Sequence, residues 1–358
     1  MPTPPALTTE GETLASAPER LRYLDLRPPA TGEAPEVAPG VRWIRMPLPM
    51  DLDHINLWLI DRGDGWALVD TGFACDVCRE AWEALERNVL AERPLELIFV
   101  THAHPDHAGL AAWLQSRHRV PVWMSGATRE HMRFFFEPLS APALAAGMHF
   151  FATHGAADID ELRATISGGR YRQLVDGVPQ VSHAPGDEER LDWHGTSWRV
   201  LECAGHIEGH LCLHDAVHSV LVSGDQVLPT ISSNVSLTPR SLDADPLGSY
   251  LASLRRLARL PEDTLVLPSH GRPFFGLQAR AADLIAHHEA HMATLVAACR
   301  EQPRSAQDVL PLLFRRTLRG LQRFLALGEA IAHLEHLARL GRLERRVGAG
   351  GDVRFAAA

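Results

Sequence analysis

Four side chains able to ligate a metal ion fall within six residues, His102, His104, Asp106 and His107, in the segment Thr101-His-Ala-His-Pro-Asp-His107. They follow Leu95–Val100, a short apolar run that reads as a buried strand. Residues two apart in an extended segment point the same way, so His102 and His104 are spaced to pinch one ion. Asp106 and His107 lie where a turn opens a helix, and can face a second ion. Imidazole with carboxylate suits Zn²⁺, and Fe or Mn are compatible. The alternative is a polar loop of ordinary hydrogen-bonded histidines, and the density of ligand-type residues argues against it. Three more segments leave apolar strands in the same manner: Glu202-Cys-Ala-Gly-His206, Val222-Ser-Gly-Asp225 and Leu267-Pro-Ser-His270. Each delivers one polar residue just past the C-terminal end of a strand, where α/β layers place their sites. The Asp225 carboxylate is of the type that bridges two metals.

The elements that must position these residues are visible in the hydrophobic pattern. Strand-like runs occupy 41–46, 55–60, 66–69, 95–100, 120–124, 198–201, 210–213, 219–222 and 264–267, and Asp61–Gly65 is a hairpin turn signal. Helical spacing marks 80–90, 108–117, 247–260 and 277–300, and the Pro/Gly-rich stretch 27–40 reads as a loop. Strands alternating with helices predict an α/β fold. Residues 1–20 read as a loose tail and 21–275 as the catalytic domain, with a helical, aromatic insertion at 128–174. A connecting helix follows at 276–302. Residues 303–358, with two helical segments and a terminal hairpin, read as a winged-helix-like unit.

The chain has 358 residues, 20 His and 5 Cys, and all of its 35 cationic residues are Arg. Without Lys, Schiff-base chemistry and a P-loop lysine are excluded. The odd, scattered cysteines form no disulfide framework, and Cys75-x-x-Cys78 reads as two ordinary cysteines on a helix turn. No apolar run is long enough for a membrane span and no signal peptide opens the chain, so the expectation is a cytoplasmic protein without a membrane partner. His287, His288, His291, His333 and His336 read as members of solvated helix faces, and His210 as a structural neighbour of the site.

Taken in order, Asp70-Thr-Gly72, Thr101–His107, the Gly-His pair ending at His206, Ser223-Gly-Asp225 and Ser269-His-Gly271 resemble the metallo-β-lactamase superfamily over roughly residues 41–275. That resemblance implies a four-layer αβ/βα sandwich with a dinuclear site between its sheets. His102, His104 and His206 would hold one divalent ion, most often Zn²⁺. Asp106, His107 and His270 would hold the other, with Asp225 bridging and Asp70 orienting a ligand imidazole. By the same resemblance, Asp106 and Asp225 would be the catalytic carboxylates. A hydroxide held between the metals would be the nucleophile, one metal would polarise the scissile bond, and Asp106 could relay a proton.

Substrate signals are weaker. Phe134, Phe135, Phe150, Phe151 and Tyr171 in the insertion either form an apolar lid over the metals or pack a helical hairpin onto the sandwich, and both readings stay open. His54 could reach the site from the side, and Asn234 could add a polar contact at its edge. Phe324–Gly341 resembles the winged-helix domain of one branch of the superfamily. That branch includes single-stranded RNA endonucleases, acyl-carrier-protein thioesterases and many bacterial hydrolases, and it implies a homodimer. Residues 303–358 carry 10 Arg against 5 acidic residues, a net +5, so the overall −9 leaves −14 for residues 1–302. So acidic a catalytic part is unfavourable for nucleic acid. The expectation is therefore a hydrolase of a small ester, thioester or lactone with an apolar group, and the alternative is an RNA endonuclease.

Overall fold

The computed structural model describes residues 21–50, 52–156, 160, 163, 169–240, 244–315 and 317–358. The tail expected over 1–20 and part of the 128–174 insertion lie outside the described residues. Two seven-stranded sheets form the centre. The first runs β2 (Glu36–Ala38), β3 (Val41–Pro47), β4 (His54–Asp61), β5 (Trp66–Val69), β6 (Leu95–Phe99), β7 (Val122–Trp123) and β8 (Val181–His183), in that spatial order. The second is ordered β1 (Arg22–Tyr23), β14 (Phe274–Phe275), β13 (Leu265–Pro268), β12 (Val220–Gly224), β11 (His210–Asp215), β10 (Thr196–Cys203) and β9 (Arg190–Trp193).

Strand alternation builds three apolar layers from these two sheets. In β3 and β4, Val41, Trp43, Trp58 and Ile60 face Val200, Leu211, Leu213 and Val222 of the opposite sheet and form the core between them. The intervening Ile44, Met46, Leu57 and Leu59 face outward onto α1 (Asp76–Asn88) and α3 (Ala111–His118), through Trp82, Leu85 and Leu114. On the far face, Leu201, Cys212 and Leu221 meet Tyr250 and Leu254 of α7 (Pro246–Leu257) and Leu284 of α8 (Leu277–Glu301). This is the αβ/βα sandwich expected from the sequence.

Beyond α8 come α9 (Ala306–Leu313), α10 (Gly320–Arg339) and the hairpin β15 (Leu343–Val347) with β16 (Val353–Ala357). Their apolar residues, among them Val309, Ile331, Leu334 and Phe355, belong to the same continuous cluster as Tyr250 and Leu284. The histidines of these helices correct the sequence reading: His288 and His333 are fully buried and His336 nearly so. Helix α10 is enclosed over most of its circumference, so His333 and His336 have no solvated face to occupy. No described helix is long and apolar enough to cross a membrane.

The strands that pattern reading missed are the short ones. β2 lies inside the stretch read as a loop and pairs with β3, while β8 and β9 edge the two sheets. Segments such as Val181-Ser-His183 are too short to show a period, and pairing with a longer neighbour creates them.

The sheets are fastened together at one end by Asn56. Its Oδ1 accepts from Trp43 Nε1 at 2.8 Å, and its Nδ2 donates to the carbonyls of Pro268 and Gly271, both at 2.8 Å. Its main-chain N–H donates to Ser269 O at 2.6 Å. A leucine there would strand a buried indole N–H and two carbonyls, at about 1–3 kcal/mol for each group left without a partner. Asn56→Leu is expected to lower unfolding stability by about 3 kcal/mol or more, read as a shift in urea midpoint at constant slope. A change within about 0.5 kcal/mol, the usual size of a neutral surface substitution, would remove Asn56 from this role.

Candidate metal centre

Seven side chains from separate strand ends converge beside this seam. Thr101 to His104 leave β6, and Asp106 and His107 open the short helix α2 (Pro105–Ala108). His206 ends the turn after β10, Asp225 directly follows β12, and His270 follows β13. The turns are sterically determined. Gly205 has φ 107°, and a Cβ there would lie 2.3 Å from Tyr250 Cβ. Gly224 has φ 53°, and its Cβ would come within 2.5 Å of His210 Nε2.

Two groups of ligand atoms result. His102, His104, His206 and Asp225 form one, and Asp106, His107 and His270 the other; within each, the candidate atoms lie within 4.8 Å of one another. Asp225 joins them. Its Oδ2 is 3.5 Å from His206 Nε2 and 3.8 Å from His102 Nε2, whereas its Oδ1 is 3.4 Å from His107 Nε2 and 3.5 Å from His270 Nε2. Asp106 Oδ2 stands 3.3 Å from His270 Nε2 and 3.6 Å from His107 Nε2. Ligands about 2.0–2.2 Å from a tetrahedral centre are separated by about 3.3–3.6 Å, so all of these spacings but the 3.8 Å one match those a metal's ligand shell would have.

The hydrogen bonds behind the rings fix their tautomers. His270 Nδ1 donates to the His54 carbonyl at 2.7 Å, and His206 Nδ1 to the Asn234 carbonyl at 2.8 Å. His107 Nδ1 donates to Asp70 Oδ2 at 2.7 Å. The Thr101 hydroxyl donates to Asp70 Oδ2 at 2.8 Å, which leaves its oxygen to accept from His102 Nδ1 at 3.1 Å. In its neutral form, each of these four rings therefore presents an Nε2 lone pair to the centre. His104 presents Nδ1 instead, 2.9 Å from His102 Nε2 and 3.1 Å from His206 Nε2. Buried lone pairs so directed repel unless a cation lies among them. His107 Nε2 and Asp225 Oδ1 are buried with no hydrogen-bond partner, which fits the same donor set.

The electrostatics divide along the same line. Burial and then the neighbouring imidazoles of His107 and His104 push His102 well below its ordinary value. Burial and His206 bring His104 down to about 3. Burial opposes the charged form of His107 and His270 as well, yet Asp225 and Asp106 hold both above the usual imidazole range. Burial would raise the two carboxylates, but His107 and His270 outweigh it and keep Asp106 and Asp225 low.

Other sequence-predicted residues serve different ends. His54 is a support rather than a substrate contact, a correction to the sequence reading. Its Nε2 accepts from Gly271 N at 2.9 Å, its Nδ1 meets Asp53 Oδ1 at 2.6 Å, and its carbonyl orients His270. Phe150 and Phe151 are likewise corrected: both are buried in the core shared with the C-terminal helices, and Phe151 packs on Phe324 at 5.0 Å. Asn234 offers its carbonyl to His206 while its Nδ2 donates to Glu329 Oε2 at 3.0 Å. Tyr171 donates to the Ala103 carbonyl at 2.7 Å, between the two ligand histidines, and Phe135 lies against its ring at 5.4 Å. Phe134 and Phe135 are 37% and 41% exposed.

Sequence reasoning missed Thr101, whose hydroxyl and N–H both reach Asp70, and Asn56. A lone Thr or Asn in an apolar context carries no spacing signal. His210 stacks on His102 at 4.9 Å and accepts from Asp225 N at 3.1 Å, the structural role expected of it.

The region from 50 to 270 matches the model of the metallo-beta-lactamase superfamily, and 292–358 matches the metallo-beta-lactamase-like C-terminal domain. The chain belongs to the metallo-beta-lactamase superfamily. A crystal structure of a beta-lactamase domain protein from Burkholderia ambifaria is 40% identical, with a TM-score of 0.87, covering 97% of this chain and 100% of that one. The probable metallo-hydrolase YqjP of Bacillus subtilis is 28% identical over 82% of this chain and 91% of its own. The bovine acyl-coenzyme A thioesterase MBLAC2 is 27% identical over 66% of this chain and 79% of its own. Like other members, the chain is a metallo-hydrolase, and its His/Asp clusters could hold divalent metal.

The cysteine pair sits at the first turn of α1, as its spacing implies. The Sγ atoms of Cys75 and Cys78 are 3.4 Å apart, and the Cys78 contact brings Cys75 down to about 7. A lowered thiol pKa keeps the thiolate as pH falls to that value and loses it below. Iodoacetamide labelling of Cys75, followed by peptide mass spectrometry, should rise with a midpoint near pH 7; a midpoint near 8.5, the ordinary thiol value, contradicts the acidification.

Asp70 is the shared anchor of two ligand imidazoles through His107 and Thr101. Asp70→Asn, nearly isosteric, is expected to weaken metal binding by roughly 10–100-fold, the range for lost partners of ligand histidines. Competition against a chromophoric chelator measures it, and an unchanged affinity would deny Asp70 this function.

Proposed function

We propose that the chain is a dinuclear metal-dependent hydrolase, most suited to Zn²⁺, acting on a small thioester, ester or lactone with an apolar acyl group. The observation that carries the dinuclear reading is the division of Asp225, one oxygen towards His102 and His206 and the other towards His107 and His270. His102, His104 and His206 would hold one ion, Asp106, His107 and His270 the other, and Asp225 both. Bound divalent ions supply a Lewis acid and lower the pKa of water towards neutrality. The chain's own groups do the rest. Asp106 Oδ2, beside His270, is placed to accept or pass on a proton. The fixed imidazole tautomers hold the ligand atoms ready without rearrangement, which is where preorganised sites gain over water.

The apolar preference is supported by the insertion. α4 (Gly126–Phe136) docks on the His206 loop, where the hydroxyls of Ser125 and Thr128 donate to the Gly209 carbonyl at 2.7 and 3.3 Å. α6 (Arg170–Leu174) docks on the His102–His104 loop through Tyr171. Exposed Phe134 and Phe135 are thus carried on α4, which is bonded to the His206 loop, and Phe135 lies against Tyr171, which is bonded to the other ligand loop, a suitable wall for an acyl chain. The similarity to a protein named as an acyl-coenzyme A thioesterase favours thioesters among these substrates.

The RNA reading rests on the C-terminal Arg excess. Four of those arginines already face carboxylates: Arg304 with Glu301, Arg345 with Glu335, Arg346 with Glu344 and Arg354 with Asp308. Such pairing weakens the case for a free phosphate-binding surface.

Zn²⁺-loaded protein assayed on acyl-CoA thioesters of graded length, aryl esters, lactones and fluorescent single-stranded RNA tests the proposal. Thioester turnover should rise with acyl length, and His104→Ala should lose metal and turnover together. Phe134→Ser/Phe135→Ser should raise KM for long acyl chains roughly tenfold at little cost in kcat, as expected for lost uniform binding. RNA cleavage abolished by Asp225→Ala, without ester or thioester turnover, would overturn the substrate class.

A further inference from the structure

A second set of metal-type ligands lies where α8 and α10 cross. His288 comes from α8, and Glu329 and His333, four residues apart and so on one helix face, come from α10. All three are buried, at 0%, 6% and 0% exposure, and their ligand atoms lie within 4.8 Å of one another. They are distinct from the seven residues of the centre described above.

Ring orientation here follows the logic of the main centre. His333 Nδ1 lies 2.8 Å from the Glu329 main-chain carbonyl and donates to it, which turns a lone pair on His333 Nε2 towards His288. His288 Nδ1 stands 3.0 Å from that atom, between the 2.9 and 3.1 Å nitrogen separations of the main cluster. His288 Nε2 is buried without a hydrogen-bond partner. Two histidines and a glutamate are also a donor set that holds zinc.

We infer that His288, Glu329 and His333 form an additional divalent-metal site, one that clamps α8 to α10 rather than performing hydrolysis. Burial of all three ligands leaves no room for a substrate and makes the ion a fastener. The clamp also stands behind the main centre: Glu329 accepts from Asn234 Nδ2, and the Asn234 carbonyl orients His206. An ion at Glu329 would therefore steady the loop that presents His206.

The test is a metal count on the full chain, stripped with chelator, reloaded with Zn²⁺, freed of loose ion and measured by inductively coupled plasma mass spectrometry. His288→Gln and His333→Gln should each hold one ion fewer per chain than the wild type. His104→Ala, which damages only the main centre, should keep the additional ion, so failure of the dinuclear reading and failure of this one are told apart. Where the histidine variants do not fold, Glu329→Gln decides, because glutamine still offers Asn234 an acceptor. It should weaken one ion at least tenfold in a Co²⁺ titration. Equal counts in wild type and folded histidine variants, or an unchanged Glu329→Gln isotherm, reduces the cluster to a hydrogen-bonded histidine pair.

Discussion

The carboxylate of Asp225 is enclosed, and its two oxygens address different pairs of imidazoles. Enclosing a carboxylate costs several kcal/mol unless opposite charge or hydrogen bonding offsets it, and only groups arriving from both sheets can do so here. His102 and His107 come from the first sheet's β6 edge, and His206, Asp225 and His270 from strand ends of the second. The two sheets must therefore meet at that end with their main chains in register. They do so through Leu211 N donating to Thr101 O at 2.9 Å and Asn56 N donating to Ser269 O at 2.6 Å. The apolar layer between the sheets, rich in Trp, supplies the driving force for their approach, but it is non-directional. The hydrogen bonds at the seam set the registration.

Orientation of the imidazoles is a separate problem, and the structure solves it with three kinds of acceptor. Asp70 is charged, Thr101 offers a hydroxyl, and His54 and Asn234 offer carbonyls. Each takes the outward N–H and so directs the opposite lone pair to the centre. Asp70 can do this because its backbone takes φ 63°, in the left-handed region that Asp tolerates, with its side chain turned back towards Thr101. The Asp-Thr-Gly turn then grips the other ligand pair, as Thr71 and Gly72 donate to the carbonyls of His107 and Asp106. One short turn thereby fixes both the position and the tautomer of His107.

These facts explain which parts of the centre the sequence discloses. His102, His104, Asp106 and His107 are legible because a metal site would demand particular side chains at fixed spacing beside an apolar strand. His206, Asp225 and His270 are legible because each repeats the strand-then-turn pattern with a glycine beside the ligand. The carbonyls behind His206 and His270 are not, since any residue supplies a carbonyl and only tertiary placement selects one. Asn234 and His54 pass for substrate contacts in the sequence for that reason: a polar residue near a site looks alike whether it faces substrate or braces a ligand. The long strands show their period, whereas β2, β8 and β9 exist through pairing with neighbours. Phe150 and Phe151 could not be divided from Phe134 and Phe135 by composition. Only the packing of Phe151 on Phe324 separates the core pair from the exposed pair.

The C-terminal helices are where local pattern and tertiary role differ most. Read alone, residues 303–358 form a basic appendage beside an acidic domain. In the fold their apolar residues complete one cluster with α7 and α8, and His336 Nδ1 faces both Asp245 oxygens at 2.9 Å. Asn234 and Ser236, on the segment that follows Asp225, bond to Glu329 and Leu325 of α10. Arg280 of α8 donates to Leu228 and Ile231 on the same segment, at 2.6 and 2.7 Å. That segment includes the carbonyl that orients His206, so both helices bear on the centre through main-chain position. An appendage built this way is continuous with the catalytic architecture. The opposite charges of the two parts then favour contact between them, within the reach that salt screening allows.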